Sequence, residues 1–319
     1  MTTTLIPIKL ERVTTCSLRD RKSKVNRSGF AKAWKSGGSF SVFWERLPGI
    51  LAGSDFRAVV SAIADAYIND KMVVLAMGAH VIKVGLNPIV VDLMRRKVLS
   101  AVAMNGAGII HDAELAMVGS TSEEVAETLA DGMFGMAQET SDFLNGAIKR
   151  AAEQECGLGE AVGRSLIDEN FPYNEDSILV AGVRFGIPVT VHAAIGTDII
   201  HIHPGFDAGM MGAASHRDFR LFASVVSALE GGVYLNVGSA VVLPEVFLKA
   251  ITLVRNLGNK VAKFTAVNMD FIRQYRSLTN VVQRPTSSGG RGYNLTGHHE
   301  IMFPLLAAAV IEKIEELRK

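Results

Sequence analysis

Apolar residues recur along this chain at two spacings, and from about residue 55 the two alternate. SDFRAVVSAIADAYIND has a Ser/Asp start and apolar positions at helical spacing, which predicts a helix. KMVVLAM (71–77) is a short unbroken apolar run stopped by Gly78. NPIVVDLMRRKV opens on Asn-Pro, a favourable helix start, and LSAVAM (99–104) is a second apolar run. SEEVAETLADGMFGMAQETSDFLNGAIKRAAEQ predicts a long helical stretch broken at its glycines. EDSILVAGVRFG predicts a helix, IPVTVH (187–192) a strand, HRDFRLFASVVSALEGG an amphipathic helix and VYLNV (233–237) a buried strand. PEVFLKAITLVRNLG has Pro in its first turn and Gly at its C-terminal cap; KVAKFTAV (260–267) predicts a strand and EIMFPLLAAAVIEKIEELRK a closing helix. GTDIIHIHPG (196–205) also predicts a strand, and TSSGGRGYNLTGHHE (286–300) a long polar loop.

Short apolar strands alternating with helices predict an α/β fold, a parallel sheet with helices on both faces. The alternation runs without a linker, so 55–319 is expected to be a single domain. Residues 1–54 stand apart. Their segment SLRDRKSKVNRSGFAKAWKSGG (17–38) is basic and poor in apolar residues, which predicts an N-terminal arm or cap.

Composition narrows the function classes. The chain has 319 residues, 48% hydrophobic and 20% charged, and a formal net charge of +1, which leaves no overall basic footprint for nucleic acid. The apolar stretch 231–254 is interrupted by Pro244, Glu245 and Lys249 and makes a poor membrane span. MTTTLIPIKLERV lacks the pattern of a signal peptide, and Cys16 and Cys156 are the only cysteines, too few for a disulfide scaffold or a cysteine zinc site. A cytoplasmic protein without nucleic-acid or membrane partners is expected. No GxSxG, HExxH, Walker loop or CxxC occurs, which removes the common hydrolase, metalloprotease and P-loop readings.

In a parallel α/β sheet, ligands bind beyond the carboxyl ends of the strands, so the strand exits are the places to inspect. AMNGAGIIHDAE (103–114) leaves a strand through Asn105, Gly106 and Gly108. It suits either a nucleotide loop or a tight turn, with Ala107 and Ile109 breaking the GxGxxG spacing. In a strand 196–205, His201 and His203 would share one face, with Asp198 nearby. Together with His192, and with His298 as a further member, they suit a divalent-metal site, an acid/base site, or a set of hydrogen-bonded structural histidines. Asp270, at the exit of FTAVNMD, suits a ribose contact or a helix cap. Arg291 suits an anion, and His298 and His299 flank the last helix.

In this order NGAGIIHD, GIPVTVHAAIGTDIIHIHPG, NVGSAVVL followed by RNLG, FTAVNMD and IMFPLLAA resemble the deoxyhypusine synthase family and its bacterial relatives, from about residue 70 to the end. The resemblance implies a Rossmann-like fold, a homotetramer and NAD bound in a site completed across a subunit pair. It also implies a reaction in which a polyamine, spermidine, is oxidised and its aminobutyl group passes through an enzyme lysine to an acceptor amine. Matched residue by residue, Asp270 takes the NAD-contacting acid, Gly106 and Gly108 the glycine loop that Asn105 opens, and Asp112 that loop's last acid. Gly238 and Ser239 take the start of the glycine turn, Asp198 a polyamine-binding acid and His203 the histidine after it, with His201 beside them facing the substrate. The departures concern the reaction. Leu243-Pro244-Glu245 replaces a Lys-His-His, and Ile110 and His111 replace paired glutamates. No lysine lies between Phe264 and Glu312, only Arg273, Arg276, Arg284 and Arg291, and arginine cannot form the imine. The expectation is an NAD-dependent, amine-acting, homo-oligomeric enzyme with altered chemistry. The alternatives are a metal enzyme built on His192, His201 and His203, or a non-catalytic NAD- or polyamine-binding protein.

Overall fold

The computed structural model describes residues 5–319. Six parallel strands form one sheet in the order β3-β2-β1-β4-β5-β6: β1 Val73–Met77, β2 Ala101–Asn105, β3 Val189–His192, β4 Val233–Val237, β5 Thr265–Asp270 and β6 Arg291–Thr296. This is a doubly wound, Rossmann-like α/β sheet, and its strand order reverses between β1 and β4. The principal helices are α1 Ala52–Ile68, α2 His80–Lys83, α3 Asn87–Arg95, α4 Gly106–Val118, α5 Gln138–Glu153, α6 Leu158–Glu169, α7 Ile178–Phe185, α8 Ala208–Ser227, α9 Val242–Asn256 and α10 His299–Leu317.

Side-chain alternation divides the core in two. Val73, Leu75, Met77, Val102, Met104, Leu235 and Val267 face a layer that includes α1, α3, α4 and α10. Val74, Ala76, Ala103, Tyr234 and Ala266 face α9 and the second half of α8. Tyr234 stacks on Phe247 at 3.7 Å between ring centres, 7° from parallel. Both faces are covered, which is why the strands read as apolar runs rather than as alternating patterns.

The structure departs from the periodicity in four places. The segment 196–205 is not a strand: Asp198 caps a single turn, Ile199–Ile202, through a capping box with His201. The stretch 122–154 holds a short turn, Val125–Thr128, and then α5, with 129–137 irregular between them. The fifth strand begins at Thr265, five residues later than the apolar run. The polar loop 286–300 contains β6, an edge strand in which only Tyr293 and Leu295 turn to the core, too sparse an apolar pattern to stand out in a polar, Gly-rich stretch. No described helix is long and apolar enough to cross a membrane.

Candidate functional site

Two places at the carboxyl edge of the sheet gather polar side chains. The first is the switch point. Backbone from β1 and β4 meets there so closely that a Cβ on Gly78 would collide with the Gly238 carbonyl oxygen. A Cβ on Gly238, whose φ is +66°, would lie 2.9 Å from the His299 ring. Ser239 is buried, and its hydroxyl receives the Leu243 N–H at the start of α9 (3.2 Å). Asp270, at the end of β5, is 5% exposed; its Oδ1 accepts the Phe271 N–H at 2.8 Å and lies 3.9 Å from His299 Nε2. His299 is fully buried, its Nδ1 has no partner, and burial lowers its pKa. His80, at the start of α2, lies 5.5 Å from His299 and 5.7 Å from Phe271 between ring centres. Around this edge Val241, Phe271, Ile272, Tyr275 and Ile301 are exposed.

The second place is a cavity of about 630 Å³ beside α4, within the size range of small-molecule sites. Ala107, Ile110, His111 and Glu114 form one stripe of α4 along its wall, at helical spacing. Lys83 from the end of α2, Thr121 and Glu123 from the following segment, and Thr197 and Asp198 complete the polar lining. Asn105 caps α4 by accepting the Gly108 N–H at 3.2 Å. Gly106 is where a Cβ would strike the Asp198 carboxylate, so the glycine lets that carboxylate lie against the helix start.

Asp198 is 8% exposed, and its Oδ2 has no hydrogen-bond partner. Burial, partly offset by Thr197, raises its carboxyl to about 6. The backbone N–H groups of Gly196 (3.0 Å) and Asp198 (3.2 Å) donate to His201 Nδ1, which puts the His201 proton on Nε2, unpartnered and 3.9 Å from Asp198 Oδ2. Across the cavity the Thr121 hydroxyl donates to Glu114 and accepts from His111 Nδ1 at 2.7 Å, leaving His111 Nε2 as the ring's free acceptor. Burial first, and then the neighbouring Lys83 cation, lower His111 to about 4, so the ring is neutral near pH 7.

The remaining sequence candidates are held elsewhere. Asp112 is fully buried on the far side of α4 and accepts from Asn87 Nδ2 (2.9 Å), Ser177 Oγ (2.6 Å), Ile178 N (2.9 Å) and Leu179 N (3.1 Å). It anchors the start of α7 and opens on neither place. His192 ends β3 inside the second core, 5.2 Å from the Phe222 ring, where burial lowers it to about 3. His203 Nε2 is bonded to the Gly135 carbonyl at 2.8 Å. The metal alternative is therefore corrected: His192, His201 and His203 do not converge, and no group of three or more His, Cys, Asp or Glu among the described residues is placed to hold a metal ion. Lys83, Glu114, Thr121, Glu123 and His80 escaped the sequence reading. The signal for Glu114 was its place seven residues after Ala107, on the helical face that also carries His111.

Neither a protein-family model nor a curated protein matches the sequence. Solved structures share the fold. A candidate LOR/SDH protein from Methanococcus maripaludis S2 is 14% identical, with 98% of this chain and 76% of that chain covered and a TM-score of 0.50. A candidate deoxyhypusine synthase from Entamoeba histolytica is 12% identical, with 88% and 96% covered and a TM-score of 0.50. AgrE, in complex with ornithine and NAD+, is 15% identical, with 83% and 33% covered and a TM-score of 0.49. The chain thus spans about a third of the length of AgrE, as it does of the cyanobacterial arginine dihydrolase ArgZ. The resemblance to deoxyhypusine synthase is met at the level of the fold.

Proposed function

We propose that this chain is an NAD-dependent enzyme acting on a small amine, organised like deoxyhypusine synthase but without its covalent lysine. One observation carries the reading. The switch point, where open α/β sheets bind dinucleotides, shares the carboxyl edge of the sheet with a separate cavity in which a buried carboxylate, Asp198, has no cation. The switch point suits NAD in its detail. The Gly78–Gly238 contact keeps side chains out of the crevice floor, and Asp270 Oδ2, with no donor among the described residues, suits a ribose hydroxyl. Gly238, Ser239 and Asp270 would hold one part of the dinucleotide, and the loop Asn105–Gly108 is proposed as a wall of its pocket. When bound, NAD accepts a hydride from a carbon next to nitrogen. The exposed apolar rim of Val241, Phe271, Ile272, Tyr275 and Ile301 suits completion of this crevice by a second copy, so a homo-oligomer belongs to the proposal.

The residues of this chain divide the work on the amine. Asp198 binds the ammonium, and His201, with its proton on Nε2, fixes the polar edge next to that carboxylate. Asp198, its carboxyl raised to about 6, takes the proton that must leave the ammonium before its carbon can be oxidised, and His111 Nε2, a neutral acceptor held in one tautomer by Thr121 and Glu114, hydrogen-bonds the amine. With no lysine from Phe264 to Glu312, the product leaves as a free imine or its hydrolysis products rather than through the family's enzyme-bound adduct.

Calorimetric titration with NAD tests the proposal. Saturable binding is expected, weakened about tenfold or more in Asp270→Ala, the loss of one good polar contact. Absence of binding at millimolar NAD, or an Asp270→Ala protein that binds like the parent, rejects the reading. Appearance of reduced nicotinamide absorbance across a panel of amines then identifies the substrate.

A further inference from the structure

The cavity beside α4 holds charges of both signs that do not meet. Asp198 is buried and its Oδ2 is without a partner. Lys83, on the same lining, is exposed and makes neither a hydrogen bond nor an ion pair with its side chain among the described residues. The other carboxylates are engaged. Glu114 receives the Thr121 and Thr140 hydroxyls, and Glu123 the Gly135 N–H at 2.8 Å. A buried anion and a nearby cation ordinarily pair, because each lowers the other's desolvation cost. Here no ion pair joins them: Asp198 lies in its capping turn against the start of α4, and Lys83 ends the one-turn helix α2 on the other side of the lining.

From this juxtaposition we infer that the cavity selects a zwitterion, an amino acid whose side chain ends in an ammonium, rather than a polyamine. Asp198 takes the terminal ammonium and Lys83 the carboxylate. The inference rests on the amine half of the proposed function and narrows its substrate class; it does not depend on the cofactor. A polyamine would set a second cation against Lys83, and like charges in a partly desolvated site repel. A zwitterion supplies a counter-charge to each side chain and leaves neither alone.

Three probes separate the charges: L-lysine, cadaverine, which is the same chain without the carboxylate, and L-norleucine, which lacks the terminal ammonium. Isothermal titration of the full chain with each, with and without NAD, is expected to give L-lysine the tightest binding, ahead of cadaverine by about tenfold, the worth of one charge contact. In Lys83→Met, an exposed position that leaves the fold intact, this advantage should vanish while cadaverine binding holds or improves. In Asp198→Asn, L-lysine and cadaverine should both weaken and L-norleucine should not. The inference is overturned if cadaverine matches or exceeds L-lysine in the parent, if Lys83→Met keeps the ratio, or if none of the probes binds. The two readings fail separately. NAD binding with no preference for L-lysine rejects only the zwitterion, whereas L-lysine selectivity without NAD binding rejects only the cofactor.

Discussion

Asp198 shows how one side chain ties stability to binding. Its ordinary carboxyl value of 3.8 rises to about 6 in the folded chain because burial disfavours the charged form. A raised value means that the unfolded chain ionises first. Stability therefore falls as pH climbs from the ordinary carboxylate range to about 6, and stays lower by a constant amount above that. Asp198→Asn removes this penalty. Urea unfolding should show the variant more stable than the parent by about 1–3 kcal/mol at about pH 8, with little difference near pH 4. The same variant binds amines less well, so the substitution that strengthens the fold weakens the site. An Asp198→Asn protein with the parent's stability at both pH values would contradict the burial argument.

Elements were legible where one physical signal dominates. β1 through β4 are buried on both faces and appear as apolar runs, and α9 carries Pro in its first turn; for these the pattern and the structure agree. Agreement failed where a side chain overrides periodicity. Asp198 and His201 turn an alternating apolar segment into a capped turn, and β6 is an edge strand announced only by Tyr293 and Leu295. The site was partly legible for a related reason. Asp198, Asp270 and Gly238 lie at strand exits, where position in the fold singles them out. Lys83 also follows a strand exit, that of β1, but stood there without a motif to single it out, and Glu123 reaches the cavity only through the path of the chain between elements, which no spacing encodes. Asp112 also belongs to this scale, because its four hydrogen bonds bind α4 and α3 to the start of α7. Asp112→Ala leaves those donors unsatisfied inside the core and should cost about 3–5 kcal/mol in chemical unfolding. A loss under about 1 kcal/mol would show that the connection is replaceable.

At the scale of the whole molecule, the Gly78–Gly238 contact joins the two halves of the sheet along the line where the winding direction changes. The Gly78 N–H adds a bond to the Val237 carbonyl at 2.9 Å, and the Gly238 N–H one to Met269 at 3.0 Å. Continuous pairing of β1 with β4, closed at its end by the glycine contact, makes this line rigid. The movement that admits a ligand is then expected in the mostly exposed strap 119–137, which carries Thr121, Glu123 and Phe134 over the cavity and is tied to the rest of the molecule by the Gly135–His203 bond and by Thr121 to Glu114 and His111. Hydrogen exchange should accordingly show fast amides in 119–137 that slow when an amine ligand is added, against slow amides in β1 and β4 that do not change. Such a molecule works as a fixed bench with a latch rather than as a jaw, and a cross-link holding the strap shut would stop ligand entry while leaving the sheet as it is.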